Sequence, residues 1–168
     1  MKKIPKPIFR WIKIAVAIYC LIGIAFYYLQ EKILFHPVAV SQSSVFQFNQ
    51  PFIELNIEAD TTTRFNIIVF TVPDSLKKGV VLYFHGNKEN VSYYAKFAKN
   101  FTKNGYEVWM PDYPKFGKST GELTERILYE EALQVYKRAR VVNKAANIII
   151  YGKSIGTGIA AQLASIRD

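Results

Sequence analysis

Ser154 sits in Gly152-Lys153-Ser154-Ile155-Gly156, the G-x-S-x-G spacing that can hold a hydroxyl nucleophile at a tight strand-to-helix turn. The chemistry explains the glycines. A serine Oγ attacks a carbonyl only if the backbone pushes it clear of the sheet, and residues two before and two after it then pass too close for side chains. The flanking sequence supplies the context: Ile148–Tyr151 reads as a buried strand, and Gly156–Ile166 as a helix rich in small residues, with Gly158 and Ala160 expected to let it approach the sheet.

An attacked carbonyl develops negative charge on oxygen, which needs two fixed donors. One is expected from the backbone N–H of Ile155, next to the nucleophile, where the helix N-terminus also adds positive dipole character. The other is expected from Tyr83-Phe84-His85-Gly86-Asn87, which closes an apolar run. There Gly86 lets the chain turn inward and present the N–H of Asn87. His85 precedes the serine at a strand end and is expected to shape this loop rather than act as a base. The loop Pro111–Ser119 is read as rigid and lining a pocket mouth, with Asp112 capping or forming a turn. Gly-Lys-Ser occurs at 117–119 and at 152–154, but a phosphate-binding loop needs glycine five residues upstream, where Asp112 and Asn147 stand.

The elements that must position these residues follow a simple order. Phe52–Ala59 and Phe65–Val72 read as an antiparallel hairpin, joined by the polar turn Asp60–Thr63. Val80–Phe84 is a short apolar run of the kind buried on both faces of a sheet. Val91–Lys103 has helical spacing, with Tyr94, Phe97, Ala98 and Phe101 on one face; Val108–Met110 is a strand stopped by Pro111. Glu122–Arg140 is a helix with Ile127, Leu128, Ala132, Val135 and Tyr136 inward. Strands alternating with helices give an α/β fold with a mostly parallel sheet, right-handed crossovers and function at the carboxyl ends of the strands.

The net charge of +9 is concentrated at the start, where residues 1–13 hold five of the 22 cations and no acid. That distribution argues against nucleic acid as a partner and for a topology signal beside an apolar run. Trp11–Leu29 carries only Lys13 as a charge, and nineteen helical residues span about 28 Å, close to the hydrocarbon thickness. Residues 11–29 are therefore expected to cross the bilayer, with 1–10 as a cytoplasmic basic tail. Residues 30–51 form a connector containing His36, and the domain at 52–168 lies on the far, periplasmic or exoplasmic, side. A cleavable signal peptide ending near Gly23-Ile24-Ala25 is the competing reading, opposed by the apolar run that continues through Leu29. Cys20 is the single cysteine, so no intrachain disulfide or cysteine metal site is expected.

On Phe84-His85-Gly86-Asn87, Met110–Gly121 and Ile148–Ala161, together with Gln30–Pro37, the chain resembles the α/β-hydrolase superfamily, and more narrowly the membrane-anchored serine hydrolases related to depalmitoylating α/β-hydrolase-domain proteins. The resemblance implies Ser154 as catalytic nucleophile, Asn87 and Ile155 as oxyanion donors, an acyl ester or thioester as substrate, and no metal or organic cofactor. Tyr113-Pro114-Lys115-Phe116 stands where relatives often have Tyr-Arg-Gly-Tyr. The family order is serine, acid, histidine. No histidine follows Ser154, and the resemblance implies about five of the family's eight strands here. The sequence is accordingly expected to be the N-terminal part of such a hydrolase and inactive alone. An inactive, membrane-tethered binding protein is the alternative, and a serine peptidase a further one.

Overall fold

The computed structural model describes residues 6–167, so the expectations for Lys2, Lys3 and Asp168 lie outside the described residues. The chain divides into two compact units, one up to Phe35 and one from His36 onward. The first is a single helix, α1 (Lys6–Leu34). Within it Pro7–Leu34 is long and apolar enough to cross a membrane, with a mean hydropathy of 2.0 in its most apolar window. It runs past the expected limit at Leu29 because Gln30-Glu31-Lys32-Ile33-Leu34 are good helix formers and the next proline is Pro37.

The second unit is built on a five-stranded mixed sheet: β1 (Phe52–Glu58), β2 (Arg64–Phe70), β3 (Gly79–Phe84), β4 (Tyr106–Asp112) and β5 (Ile148–Gly152), in the order β1-β2-β4-β3-β5. β1 and β2 form the expected antiparallel hairpin. In its turn Asp60 Oδ1 accepts the N–H groups of Thr62 and Thr63 at 2.7 and 2.8 Å, bonds that lower the Asp60 pKa to about 2. β2 continues antiparallel to β4, with Ile68 opposite Met110, while β4 and β5 run parallel to β3. Pro111 does not stop β4. Pairing with β3 ends at Trp109, so Pro111 faces only β2 and has no ladder bond to supply on its other side.

Between β3 and β4 the expected single helix is broken into α2 (Val91–Tyr94), a 3₁₀ turn at Ala95–Phe97 and α3 (Lys99–Thr102). The tighter turn nearly eclipses residues three apart and brings the Tyr94 and Phe97 rings to 6.2 Å. The fourth helix, α4 (Glu125–Val142), is capped by Thr124 and buries Ile127, Leu128, Ala132, Val135 and Tyr136, as their spacing requires. α5 (Gly156–Ile166) follows β5 and packs on it and on α4.

The strand order fixes where a site can form. The chain crosses from β3 to β4 in one direction, then returns past β3 to β5. With right-handed crossovers the two connections lie on opposite faces, so neighbouring loops leave the carboxyl ends of β3 and β5 in opposite directions and open a crevice between them.

Residues 36–51 are not a free connector. The His36 N–H donates to the Asn87 carbonyl at 2.8 Å; Val40 and Gly117 exchange with Gly117 and Val38 at 2.8 and 2.9 Å. Phe46 is buried in the core with Ile68, Phe70, Tyr83 and Met110, and Phe48 packs edge-on against Phe52 and Phe70. The segment is a strap across the loops after β3 and β4.

Candidate active site

The turn between β5 and α5 holds Ser154 at φ 55, a left-handed conformation that non-glycine residues adopt at a cost of roughly 1–3 kcal/mol. It persists because the surroundings determine it. The Lys153 N–H is tied to the Phe84 carbonyl at 2.9 Å, the Gly156 N–H to Lys153 O at 3.0 Å, and the Thr157 N–H to Ser154 O at 2.9 Å. Ser154 is exposed above the sheet.

Both flanking glycines are sterically required. A Cβ on Gly152 would meet the Gly156 carbonyl carbon at 2.5 Å and Thr157 Cα at 2.6 Å; one on Gly156 would press on the Phe84 carbonyl and lie 2.6 Å from the His85 carbonyl. The expectation for Gly158 is corrected. It is exposed with nothing within 4 Å of its Cβ position, because the close approach occurs one turn earlier at Gly156, while Ala160, Ile159 and Leu163 form the buried face of α5.

Gly86 closes the other wall. Its Cβ position lies 3.7 Å from Ser154 Cβ, so the loop after β3 and the serine turn meet across the crevice. Asn87 follows directly, its carbonyl held by His36. Among the described residues the Ile155 N–H donates to no backbone carbonyl outside the helix. Ser154, Gly86, Asn87 and Ile155 are thus brought together at the carboxyl ends of β3 and β5.

Both ring nitrogens of His85 face groups other than Ser154. The side chain is fully buried, donates from Nδ1 to Gly86 O at 2.7 Å, and has Nε2 3.3 Å from Asp112 Oδ1, off the line of a good hydrogen bond. With Nδ1 donating, that second contact is attractive only if a proton sits on Nε2 or on the carboxyl. Burial pushes the Asp112 pKa up, opposed by the imidazole of His85 beside it. Asp112 Oδ1 also accepts the Val91 N–H at 2.8 Å, capping α2. His36 is exposed and joined to the loop through its backbone.

The Pro111–Ser119 loop does not line a mouth: all but Lys115 of Pro111–Ser119 are buried, and they brace the site from beneath. The Tyr113 hydroxyl donates to His85 O at 2.8 Å, and Phe116 packs on the imidazole at 5.3 Å. Lys118 pairs with both Glu54 oxygens at 2.9 Å, and Ser119 Oγ accepts the Asn66 N–H, so the Gly-Lys-Ser here is structural. Sequence reasoning missed Glu131, wholly buried on α4 with no hydrogen-bond partner for either oxygen among the described residues. Its place three after Leu128 and four before Val135, on the apolar face, was the available signal.

Comparison with known proteins agrees with this geometry. Residues 75–168 match the model of the serine aminopeptidase, S33 family. The chain is 33% identical over 91 residues to the human protein ABHD12B, covering 53% of this chain and 25% of that one. It is 33% identical over 86 residues to the bovine lysophosphatidylserine lipase ABHD12, covering 50% of this chain and 22% of the lipase. It therefore spans about a quarter of the length of these relatives. Among solved structures, a predicted CIB-like hydrolase from Thermoplasma acidophilum superposes with a TM-score of 0.51 at 26% identity, over 69% of this chain and 57% of that one. The elbow at Ser154, the crevice it shares with Gly86 and the family match lead to one assignment: the chain belongs to the serine aminopeptidase, S33 family of α/β-hydrolases.

Proposed function

We propose that the protein is a membrane-anchored serine hydrolase that cleaves carboxylic esters or thioesters through an acyl-enzyme on Ser154. The observation that supports this most is the left-handed Ser154 at the apex of the β5–α5 turn, with Gly86 beside its Cβ. Ser154 Oγ attacks the acyl carbon and the oxyanion takes hydrogen bonds from the N–H groups of Ile155 and Asn87. Collapse breaks the bond to the leaving oxygen or sulfur, and water then releases the acyl group. The base that accepts the Ser154 proton is neither His85, whose two ring nitrogens face Gly86 and Asp112, nor the exposed His36.

The bovine relative is by name a lysophosphatidylserine lipase, and α1 is apolar enough to sit in a bilayer; together they favour a lipid-borne acyl ester as substrate. The basic start of the sequence keeps the N-terminus cytoplasmic and the unit from His36 onward across the membrane. The test is ester and thioester hydrolysis by the full-length protein in micelles. Ser154→Ala should lower the rate by about 10³-fold or more, and a variant that still turns over at the wild-type rate would sink the proposal.

A further inference from the structure

Tyr94 stands where the nucleophile and the oxyanion loop meet, and the chemistry above does not use it. The side chain projects from the end of α2 and is only 5% exposed. Its ring stacks on the His85 imidazole at 5.0 Å and 22°, and the Phe97 ring lies 6.2 Å away. These contacts hold the phenol in one place without asking anything of its hydroxyl.

The hydroxyl lies 2.5 Å from the point a Cβ on Gly86 would occupy, and the same point is 3.7 Å from Ser154 Cβ. The oxygen is therefore packed against Gly86, in the loop that precedes Asn87, and both it and Ser154 border the same point. Among the described residues no hydrogen bond is found in which the Tyr94 hydroxyl donates, so its proton is free to be given. Burial holds the phenol pKa up, so the proton stays in place through neutral pH. Tyr113, the other phenol packed against this loop, differs: its hydroxyl donates to the His85 carbonyl at 2.8 Å, which makes it a brace.

We propose that the Tyr94 hydroxyl is a third oxyanion donor, giving its hydrogen bond to the carbonyl oxygen as Ser154 adds to the acyl carbon. Tyr94 keeps its proton; the Ser154 Oγ–H bond breaks and that proton passes to a general base, an imidazole other than His85 or His36. The C=O π pair moves onto oxygen, the Ser154 Oγ–C bond forms, and the phenol donates to the oxygen throughout, more strongly as its charge grows. The inference rests on Ser154 being the nucleophile.

The experiment compares Tyr94→Phe and Ser154→Ala with the wild type in the full-length protein in micelles. Phenylalanine keeps the ring on His85 and removes only the hydroxyl. The expected result is a fall in kcat of about 10²-fold with KM within about twofold. A trifluoromethyl ketone, whose hydrate-like adduct carries the oxyanion, should bind more weakly by the same factor, while a non-hydrolysable ether analogue of the substrate keeps its affinity. Wild-type kcat in Tyr94→Phe overturns the proposal. So does an equal weakening of ketone and ether, which marks a merely structural role. Hydrolysis that survives Ser154→Ala defeats the nucleophile assignment instead, and is told apart from both by that arm.

Discussion

A carboxylate buried with neither oxygen hydrogen-bonded is costly unless it takes up a proton, and Glu131 is placed that way on α4, with the charge of Asp112 opposing its ionisation further. Burial raises its pKa well above the usual carboxylate range. In the unfolded chain it ionises within that range. Between the two values the native state binds more protons, so this residue makes stability fall as pH rises. Glu131→Gln, which does not titrate, should therefore gain on the wild type in thermal melting as pH goes from about 5 to about 8. A gap between the two that stays constant with pH contradicts the account. Lys115 has φ 71 and an exposed side chain, a backbone conformation that favours glycine. Lys115→Gly should stabilise by up to about 1 kcal/mol in urea denaturation by relieving left-handed strain; a loss of stability would show that the lysine side chain matters more than the backbone. At this scale the serine and its glycines were legible, because a five-residue spacing encodes a local turn. The His85–Asp112 contact was not, since it joins residues on two strands that only folding brings together.

Among elements, the β5–α5 elbow is the most constrained by sterics, and its two C-terminal glycines should behave oppositely. A methyl on Gly156 meets the carbonyls of Phe84 and His85, backbone atoms that cannot move without shifting the oxyanion loop. Gly156→Ala should cost about 1–3 kcal/mol and reduce reaction at Ser154. Gly158 has open space around it in the same helix, so Gly158→Ala should stabilise by about 0.5–1 kcal/mol. Chemical denaturation of the pair decides, and equal effects would mean the elbow is looser than described. Strand and helix positions were readable from periodicity, above all α4, whose five expected inward residues are all buried. The break at Ala95–Phe97 and the passage of β4 through Pro111 were not. Both depend on neighbours: the aromatic packing against His85 in one case, the ending of the β3 ladder in the other.

For the whole molecule, the strand order was the least legible property, because hydrophobic runs give strands and not partners. Only the hairpin announced its own pairing, through a short polar turn. The role of residues 36–51 as a strap was hidden for the same reason, although Phe46 and Phe48 carried a period-two signal. The resulting order leaves β5 with β3 on one side only among the described residues, and Ile149 and Tyr151 are 41% and 38% exposed. An apolar strand edge of this kind templates pairing with another strand. Residues 36–168 prepared alone should therefore self-associate in size-exclusion chromatography with light scattering, and Ile149→Lys should reduce that association. A monodisperse, cooperatively melting 36–168 polypeptide would contradict this view of β5.

The most direct measurement of the central claim is the site of covalent capture. The full-length protein in membranes, treated with a fluorophosphonate and digested with trypsin, should carry the phosphonyl group on Ser154 in the peptide from Ser154 to Arg167, and lose it when heat-unfolded first. An adduct on any other residue, or capture that continues in Ser154→Ala, would contradict the assignment of the nucleophile.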